Sequence, residues 1–212
     1  MNEHIKLLIK RYKELEIIQN DILKAFDVLK DAYYNGAKLL ICGNGGSASD
    51  SEHIVGELMK GFKNPRIISN DLKEKLKNVD KNVGEELTSK LQMPLEAIAL
   101  TGGIALNTAL SNDVKNGGEY TFANQVLGYG KKGDVLLAIS TSGNSKNVYN
   151  ACVVAKALDL KIIALTGKTG GILKDIADVS IIAPASETYM IQELHLPIYH
   201  TLCLMLEDEF FK

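Results

Sequence analysis

The chain has 212 residues, of which 46% are hydrophobic and 24% charged. That is enough to bury a large core, and it suits one α/β domain better than two small ones. Lys and Arg total 24 against 26 Asp and Glu, so the formal net charge is −2. This balance argues against a nucleic-acid partner, because such proteins usually carry a basic stripe.

Targeting and redox signals point to the cytoplasm. The N-terminus is charged every few residues, unlike a signal peptide. No segment approaches the roughly 18 uninterrupted apolar residues of a membrane helix. Cys42, Cys152 and Cys203 lie in apolar stretches and match neither a disulfide framework nor a metal motif, which favours buried thiols in a reducing compartment. We therefore expect a cytoplasmic protein without a membrane anchor.

The hydrophobic pattern predicts an α/β domain. Apolar residues at helical spacing in residues 2–34 predict one or two amphipathic helices. Five short apolar runs follow, at residues 38–42, 97–101, 134–139, 161–166 and 179–183. Their continuous apolarity indicates strands buried on both faces. Helical periodicity between the runs predicts βαβ repeats, with a parallel five-stranded sheet covered by helices.

Two further helical segments complete the predicted domain, which spans residues 1–212. Residues 63–93 are rich in charge, yet their apolar residues keep a spacing of three to four, so we predict a surface helical excursion interrupted at Gly84. Residues 187–211 have the pattern of a long buried helix. Pro197 is expected to bend that helix near Glu193, because proline lacks the N–H that would bond there.

The loop after the third strand predicts a phosphate site. It contains Ser140, Thr141, Ser142 and Ser145 and leads directly into a predicted helix. N–H groups at a helix start, together with hydroxyl donors, bind anions. The alternative is an ordinary helix cap, for which one hydroxyl suffices.

The loop after the first strand, residues 43–50, is rich in glycine. It fits the dinucleotide-binding pattern loosely, but the acidic residue expected about 20 positions later is missing. We therefore expect no nucleotide cofactor, and we expect Asn44 and the loop N–H groups to hold sugar hydroxyls. The glycine-rich turn at residues 166–171 is assigned no role.

His53 and Glu57 are four residues apart on the next predicted helix, so they share one face. Such a pair can bind a metal or act as acid and base; the alternative is a solvated surface pair. Gln192, His195 and His200 are the polar residues embedded in the last predicted helix, and a core histidine bonded to a carbonyl is the alternative for either imidazole.

Four motifs resemble the phosphoheptose isomerases of the SIS (sugar isomerase) superfamily. They are CGNGGSASDSEHIVGEL at residues 42–58, Ser-Asn-Asp at 111–113, STSGNS at 140–145, and IQELH followed by a second His at 191–200. The resemblance spans nearly the whole chain. It implies the SIS fold, a flavodoxin- or Rossmann-like three-layer αβα sandwich with N-terminal helices and a long C-terminal helix.

The resemblance also implies an activity and a site. Family members convert D-sedoheptulose 7-phosphate to D-glycero-D-manno-heptose 7-phosphate through an enediol, in bacterial heptose biosynthesis. By resemblance, the substrate would contact Asn44, Gly45, Gly46, Glu57, Asn112, Asp113, Ser140, Thr141, Ser142, Ser145 and Gln192. One zinc ion per subunit would be held by His53, Glu57, Gln192 and His200. Glu57 and His200 would be the acid–base pair.

The residues suit this chemistry. Moving a carbonyl between neighbouring carbons requires removal and return of a proton, for which Glu57 is a reasonable base, while His200 can act on the oxygens. A metal ion or amide side chains would stabilise the enediolate.

Helix geometry predicts an oligomer. Gln192 and His200 are eight residues apart, or about 12 Å along a helix at 1.5 Å per residue. Two ligands of one metal cannot comfortably span that distance unless the bend at Pro197 is severe, and the alternative is a ligand from a neighbouring subunit. We therefore predict that one ligand comes from a neighbouring subunit, that Glu57 and His200 converge across two chains, and that the enzyme is a homo-oligomer, with a tetramer expected. His195 is the alternative to His200, because it shares a face with Gln192 within one chain.

Two other functions stay open from the sequence. One is isomerisation of a different phosphosugar. The other is a non-catalytic SIS module that binds a replication initiator protein. The presence of Glu57, Gln192 and His200 favours an enzyme.

Overall fold

The computed structural model describes residues 2–212, so Met1 lies outside the described residues. Its five strands are β1 (Leu39–Cys42), β2 (Ala97–Ala99), β3 (Val135–Ser140), β4 (Lys161–Gly167) and β5 (Val179–Ala183). All pair in parallel, in the order β2-β1-β3-β4-β5. Each strand falls on a predicted apolar run, which confirms the predicted α/β class.

Helices cover both faces of the sheet. They are α1 (Glu3–Arg11), α2 (Gln19–Tyr34), α3 (Gly46–Leu58), α4 (Asn70–Val79), α5 (Lys81–Lys90), α6 (Ile104–Asp113), α7 (Thr121–Tyr129), α8 (Lys146–Ala157), α9 (Leu173–Ile176) and α10 (Thr188–Phe211). Two 3₁₀ helices span Lys13–Ile18 and Gly117–Glu119. None of the helices in residues 2–212 is both long and apolar enough to cross a membrane.

The core has two halves because strand side chains alternate between the two faces of the sheet. Leu39 and Ile41 of β1 join one cluster with residues of α1, α2, α3 and α10. Leu40 and Cys42 join the other, with residues of α7, α8 and α9. The result is the expected three-layer αβα sandwich, and it places α3 and α10 side by side on one face.

The charged excursion folds as a helical hairpin, but its break is not at Gly84. α5 begins after Asp80, whose carboxylate accepts hydrogen bonds from the N–H groups of Asn82 and Val83, both at 2.9 Å. Gly84 lies inside α5 and is buried against α4, where a Cβ would overlap the carbonyl of Leu76. The glycine permits close helix packing, and the cap at Asp80 supplies the interruption.

Pro197 lies inside α10, which continues as one helix on both sides of it. Proline removes a single backbone donor, and the apolar residues of α10 remain packed in the core. The residues before and after Pro197 therefore stay on one helix that runs alongside α3.

The strand order determines where a ligand can bind. It reverses between β1 and β3, and ligands of open parallel sheets bind at such a switch point, beyond the carboxyl ends of the strands. Two predicted loops, residues 43–46 after β1 and 141–145 after β3, meet there.

Candidate active site

A polar cavity of about 330 Å³ lies at the switch point. It is lined by Asn44, Gly45, Gly46, Ser47, Ile139, Ser140, Thr141, Ser145, Thr188 and Gln192. Ser145 is at the N-cap of α8, but its hydroxyl bonds to Ser140 Oγ at 2.9 Å instead of capping the helix. The capping alternative is therefore wrong for Ser145, and its hydroxyl lies at an anion-binding helix start.

The Ser142 side chain does not line this cavity, unlike those of Ser140, Thr141 and Ser145. Its Oγ accepts a hydrogen bond from the N–H of Asn144 at 3.1 Å. Ser142 therefore shapes the loop, whereas Ser140, Thr141 and Ser145 face the cavity.

The glycine-rich turn after β4 supports the phosphate loop. Gly143 has φ 67°, and a Cβ there would overlap the carbonyl of Gly170. The N–H of Gly167 donates to Thr141 O at 3.1 Å, and the N–H of Leu173 donates to Gly143 O at 3.0 Å. The sequence analysis assigned no role to the turn at residues 166–171. The signal that could have revealed its support of the phosphate loop is that both loops contain glycines, Gly143 in one and Gly170 in the other, which allow close contact.

A second cavity, of about 290 Å³, lies on the other side of the first loop, beside Asn44 and Gly45. Ser111 of α6 lines it, together with Asn107 and Asn147. The predicted sugar ligands Asn112 and Asp113 do not; both are exposed, and their side chains bond to each other at 2.8 Å. Of the Ser-Asn-Asp motif, only Ser111 lines this cavity.

His53, Glu57 and His200 converge in one chain. His53 Nε2 lies 3.1 Å from Glu57 Oε1 and 3.4 Å from His200 Nε2. One ligand atom from each residue lies within 4.8 Å of the other two. This corrects the prediction that Glu57 and His200 meet across two chains: because α3 and α10 pack side by side, a single chain brings them together.

A buried ion pair holds this arrangement. Arg66 and Glu207 are fully buried, with Arg66 Nε 2.9 Å from Glu207 Oε1. Arg66 also donates to the main-chain carbonyls of Glu57 and Leu58 at the end of α3. Glu207, on α10, accepts from three N–H groups of the segment that follows α3. The pair thus ties the end of α3 to α10, beside Glu57 and His200.

Burial separates the two histidines of α10. His195 is 0% exposed, its Nε2 lies 3.0 Å from Thr166 O, and burial lowers its pKa to about 4. His200 is partly exposed; burial lowers its pKa, and the neighbouring His53 lowers it further. The lowered pKa favours the neutral imidazole of His200, the form that binds a metal. His195 is the core histidine, and His200 joins the polar group.

Gln192 lies away from that group. Its amide packs against Gly46 at the start of α3 and lines the phosphate cavity. His200 instead lines a cavity of about 440 Å³, together with His4 and Arg11 of α1. One chain therefore presents the hydroxyl-lined loops and His200 to different cavities.

A parallel sheet in this order, with a hydroxyl-rich loop at its switch point, is the architecture of a SIS-domain protein. The SIS domain family matches residues 2–90 and 86–167. A phosphoheptose isomerase of a Nitratiruptor species is 39% identical over 208 residues, which cover 98% of this chain and 95% of that protein. The chain belongs to the phosphoheptose isomerases and is therefore an enzyme of the aldose–ketose isomerase class.

Solved structures agree. A phosphoheptose isomerase from Francisella tularensis superposes with a TM-score of 0.76 at 31% identity, covering 98% of this chain and 96% of that one. The enzyme from Neisseria gonorrhoeae gives 0.74 at 30% identity, covering 97% and 96%. The SIS fold implied by the sequence motifs is thereby confirmed.

Proposed function

We propose that this enzyme interconverts D-sedoheptulose 7-phosphate and D-glycero-D-manno-heptose 7-phosphate in the cytoplasm, for bacterial heptose biosynthesis. The convergence of Glu57 with two imidazoles carries the proposal, because an isomerase needs a base beside groups that act on oxygen. Family membership supports the substrate class, and three free, buried cysteines agree with a reducing compartment.

The phosphate is bound by the loop after β3. Ser140, Thr141 and Ser145 line the cavity at the start of α8, where backbone N–H groups and the helix dipole favour an anion. Ser142 and Gly143 shape this loop. Asn44, Gly45 and Gly46, which line the same cavity, are proposed to bind the sugar.

Glu57 moves the proton between the two carbons. One carboxylate oxygen faces His53, and the other, Oε2, is buried without a hydrogen bond among residues 2–212, with Lys60 Nζ 3.5 Å away. An underbonded carboxylate is a competent base. His200, whose pKa is lowered by burial, exchanges a proton with the substrate oxygens.

The donor set fits a zinc ion. Two imidazole nitrogens and a carboxylate oxygen within 4.8 Å are the ligand types that zinc takes. We propose His53, Glu57 and His200 from one chain as ligands, with Gln192 as the fourth. Bound zinc would supply positive charge that stabilises an enediolate.

The fourth ligand points to a shared site. Gln192 and His200 face different cavities of one chain, so Gln192 and the phosphate loop of one subunit would meet the His–Glu–His group of another. We propose a homo-oligomer, with a tetramer expected.

Turnover of sedoheptulose 7-phosphate by Glu57→Gln tests the activity. We expect kcat to fall by about 10²- to 10⁴-fold, the usual contribution of a general base. Glu86→Gln, on the exposed hairpin, is the matched control and should keep wild-type turnover. Wild-type rates for Glu57→Gln would refute the assignment, and a panel of phosphosugars would reveal a different substrate.

A further inference from the structure

Tyr199 connects two side chains that the proposed mechanism leaves unconnected. It precedes His200 on α10, and it is 1% exposed. Its hydroxyl lies 3.2 Å from Asp50 Oδ1 and 3.1 Å from His53 Nδ1, both on α3. The phenol therefore lies between a carboxylate and the imidazole nitrogen that faces away from Glu57.

A phenol has one proton, so two arrangements are possible when Asp50 is ionised and His53 is neutral. In one, His53 carries its proton on Nε2 and donates to Glu57, while Tyr199 donates to Nδ1; Asp50 Oδ1 then has no donor. In the other, His53 Nδ1–H donates to the Tyr199 oxygen, and Tyr199 donates to Asp50. Only the second arrangement satisfies the carboxylate and leaves the Nε2 lone pair free.

Asp50 favours the second arrangement, because Tyr199 is the hydrogen-bond donor to its carboxylate among residues 2–212. Its Oδ2 is buried and has no hydrogen-bond partner among residues 2–212. A half-buried carboxylate that loses its remaining donor incurs a desolvation penalty. The proton of Tyr199 is therefore drawn toward Asp50, and the proton of His53 toward Nδ1.

The freed Nε2 is the atom that faces Glu57 and His200. Metal-binding histidines commonly donate their other N–H to an oxygen, which fixes the tautomer and the ring orientation. The ring of Tyr199 also packs edge-on against both His53 and His200, with centroid distances of 5.6 and 5.0 Å. Both imidazoles of the group thus touch one buried aromatic ring.

We infer that Tyr199, backed by Asp50, is a positioning residue that holds His53 as its Nδ1–H tautomer, so that Nε2 is presented to a divalent cation. This inference rests on the proposed function, in which His53 is a zinc ligand. It adds to that function a hydrogen-bonded relay, Asp50–Tyr199–His53, that contacts no substrate.

The test uses two variants that keep side-chain shape. Tyr199→Phe removes the bridging hydroxyl, and Asp50→Asn removes the negative charge that draws the tyrosine proton away from His53. Zinc affinity of the full-length protein is measured by competition with a chromogenic chelator at mildly alkaline pH. We expect both variants to bind zinc about 10- to 100-fold more weakly than wild type, as found when groups that hydrogen-bond to metal ligands are removed. Tyr129→Phe, on the exposed side of α7, is the matched control and should bind as wild type does.

A second readout needs neither zinc nor turnover. The ¹⁵N chemical shifts of His53 in the metal-free protein report which ring nitrogen is protonated. We expect the Nδ1-protonated fraction to fall in both variants. An unchanged tautomer and unchanged zinc affinity in Tyr199→Phe would overturn the inference. A wild-type protein that binds no zinc would instead overturn the proposed metal site, while the ¹⁵N comparison would still decide the role of Tyr199.

Discussion

The side chains of this site owe their properties to their immediate neighbours. His195 and His200 are five residues apart on one helix. His195 is fully buried against the end of β4, whereas His200 lines a cavity. Their spacing relative to Gln192 does not distinguish them, because either could face the site until the register of α10 against α3 is known. Burial is the property that separates them.

Titration of His195 should make stability depend on pH. Its pKa is about 4 when folded and about 6.5 in an unfolded chain, so between these values the unfolded state binds more protons. As the pH falls from about 6.5 to about 4, this residue should lower the free energy of unfolding by roughly 3 kcal/mol in total. No further loss from His195 is expected below that range.

The measurement is urea unfolding at a series of pH values for wild type and His195→Gln, which keeps a donor for Thr166 O. The difference in free energy of unfolding between the two proteins should change across that range. A constant difference would mean that His195 does not titrate between the folded and unfolded states.

At the level of elements, α3 and α10 form the frame of the site, and Arg66 with Glu207 joins them. The two residues are 141 positions apart in the chain, and neither belongs to a motif recognised in the sequence. Two charged residues this far apart in the chain produce no local sequence pattern from which their ion pair could be predicted. The α4–α5 hairpin is a second example. From the sequence, either Asp80 or Gly84 could interrupt the helical segment. Only the packing of α5 on α4 shows that Asp80 caps α5 and that Gly84 is a contact residue inside it.

Removing one partner of the buried pair should be costly. Arg66→Met leaves the Glu207 carboxylate buried without its cation, for which we expect a loss of about 3–5 kcal/mol in the free energy of unfolding. Lys75→Met, which breaks the exposed pair with Asp71, is the control and should change stability little. Denaturant unfolding checks both; equal, small effects would contradict a role for Arg66 as the anchor of α3.

For the molecule as a whole, the phosphate loop and His200 face different cavities of one chain, and this leads to a prediction about assembly. Ser145→Asp would place a carboxylate at the proposed phosphate site, and aspartate is well tolerated at a helix N-cap. This variant and Glu57→Gln should each be inactive alone. If the site combines loops of one subunit with Glu57 of another, random mixed oligomers should regain about a quarter of wild-type sites.

The check is to refold or co-express the two inactive variants together and assay the mixture. Variants mixed without subunit exchange provide the control and should stay inactive. No recovery after exchange would mean that each site is complete within one chain, and the proposed sharing would be wrong.

Local patterns in the sequence were enough for much of this protein. Continuous apolar runs located all five strands, and the polar loops at 43–50 and 140–145 were placed correctly at the carboxyl ends of β1 and β3. The pairing of His53 with Glu57 followed from their spacing of four. These features depend on backbone geometry over a few residues, which periodicity and turn chemistry report directly.

Long-range packing settled the rest. Glu57 and His200 meet within one chain, Ser111 lines the cavity in place of Asn112 and Asp113, and Tyr199 reaches Asp50 and His53. Each of these depends on the register and rotation of one helix against another. An apolar stripe says that a helix packs on the core, but not which polar residue at its margin meets which neighbour.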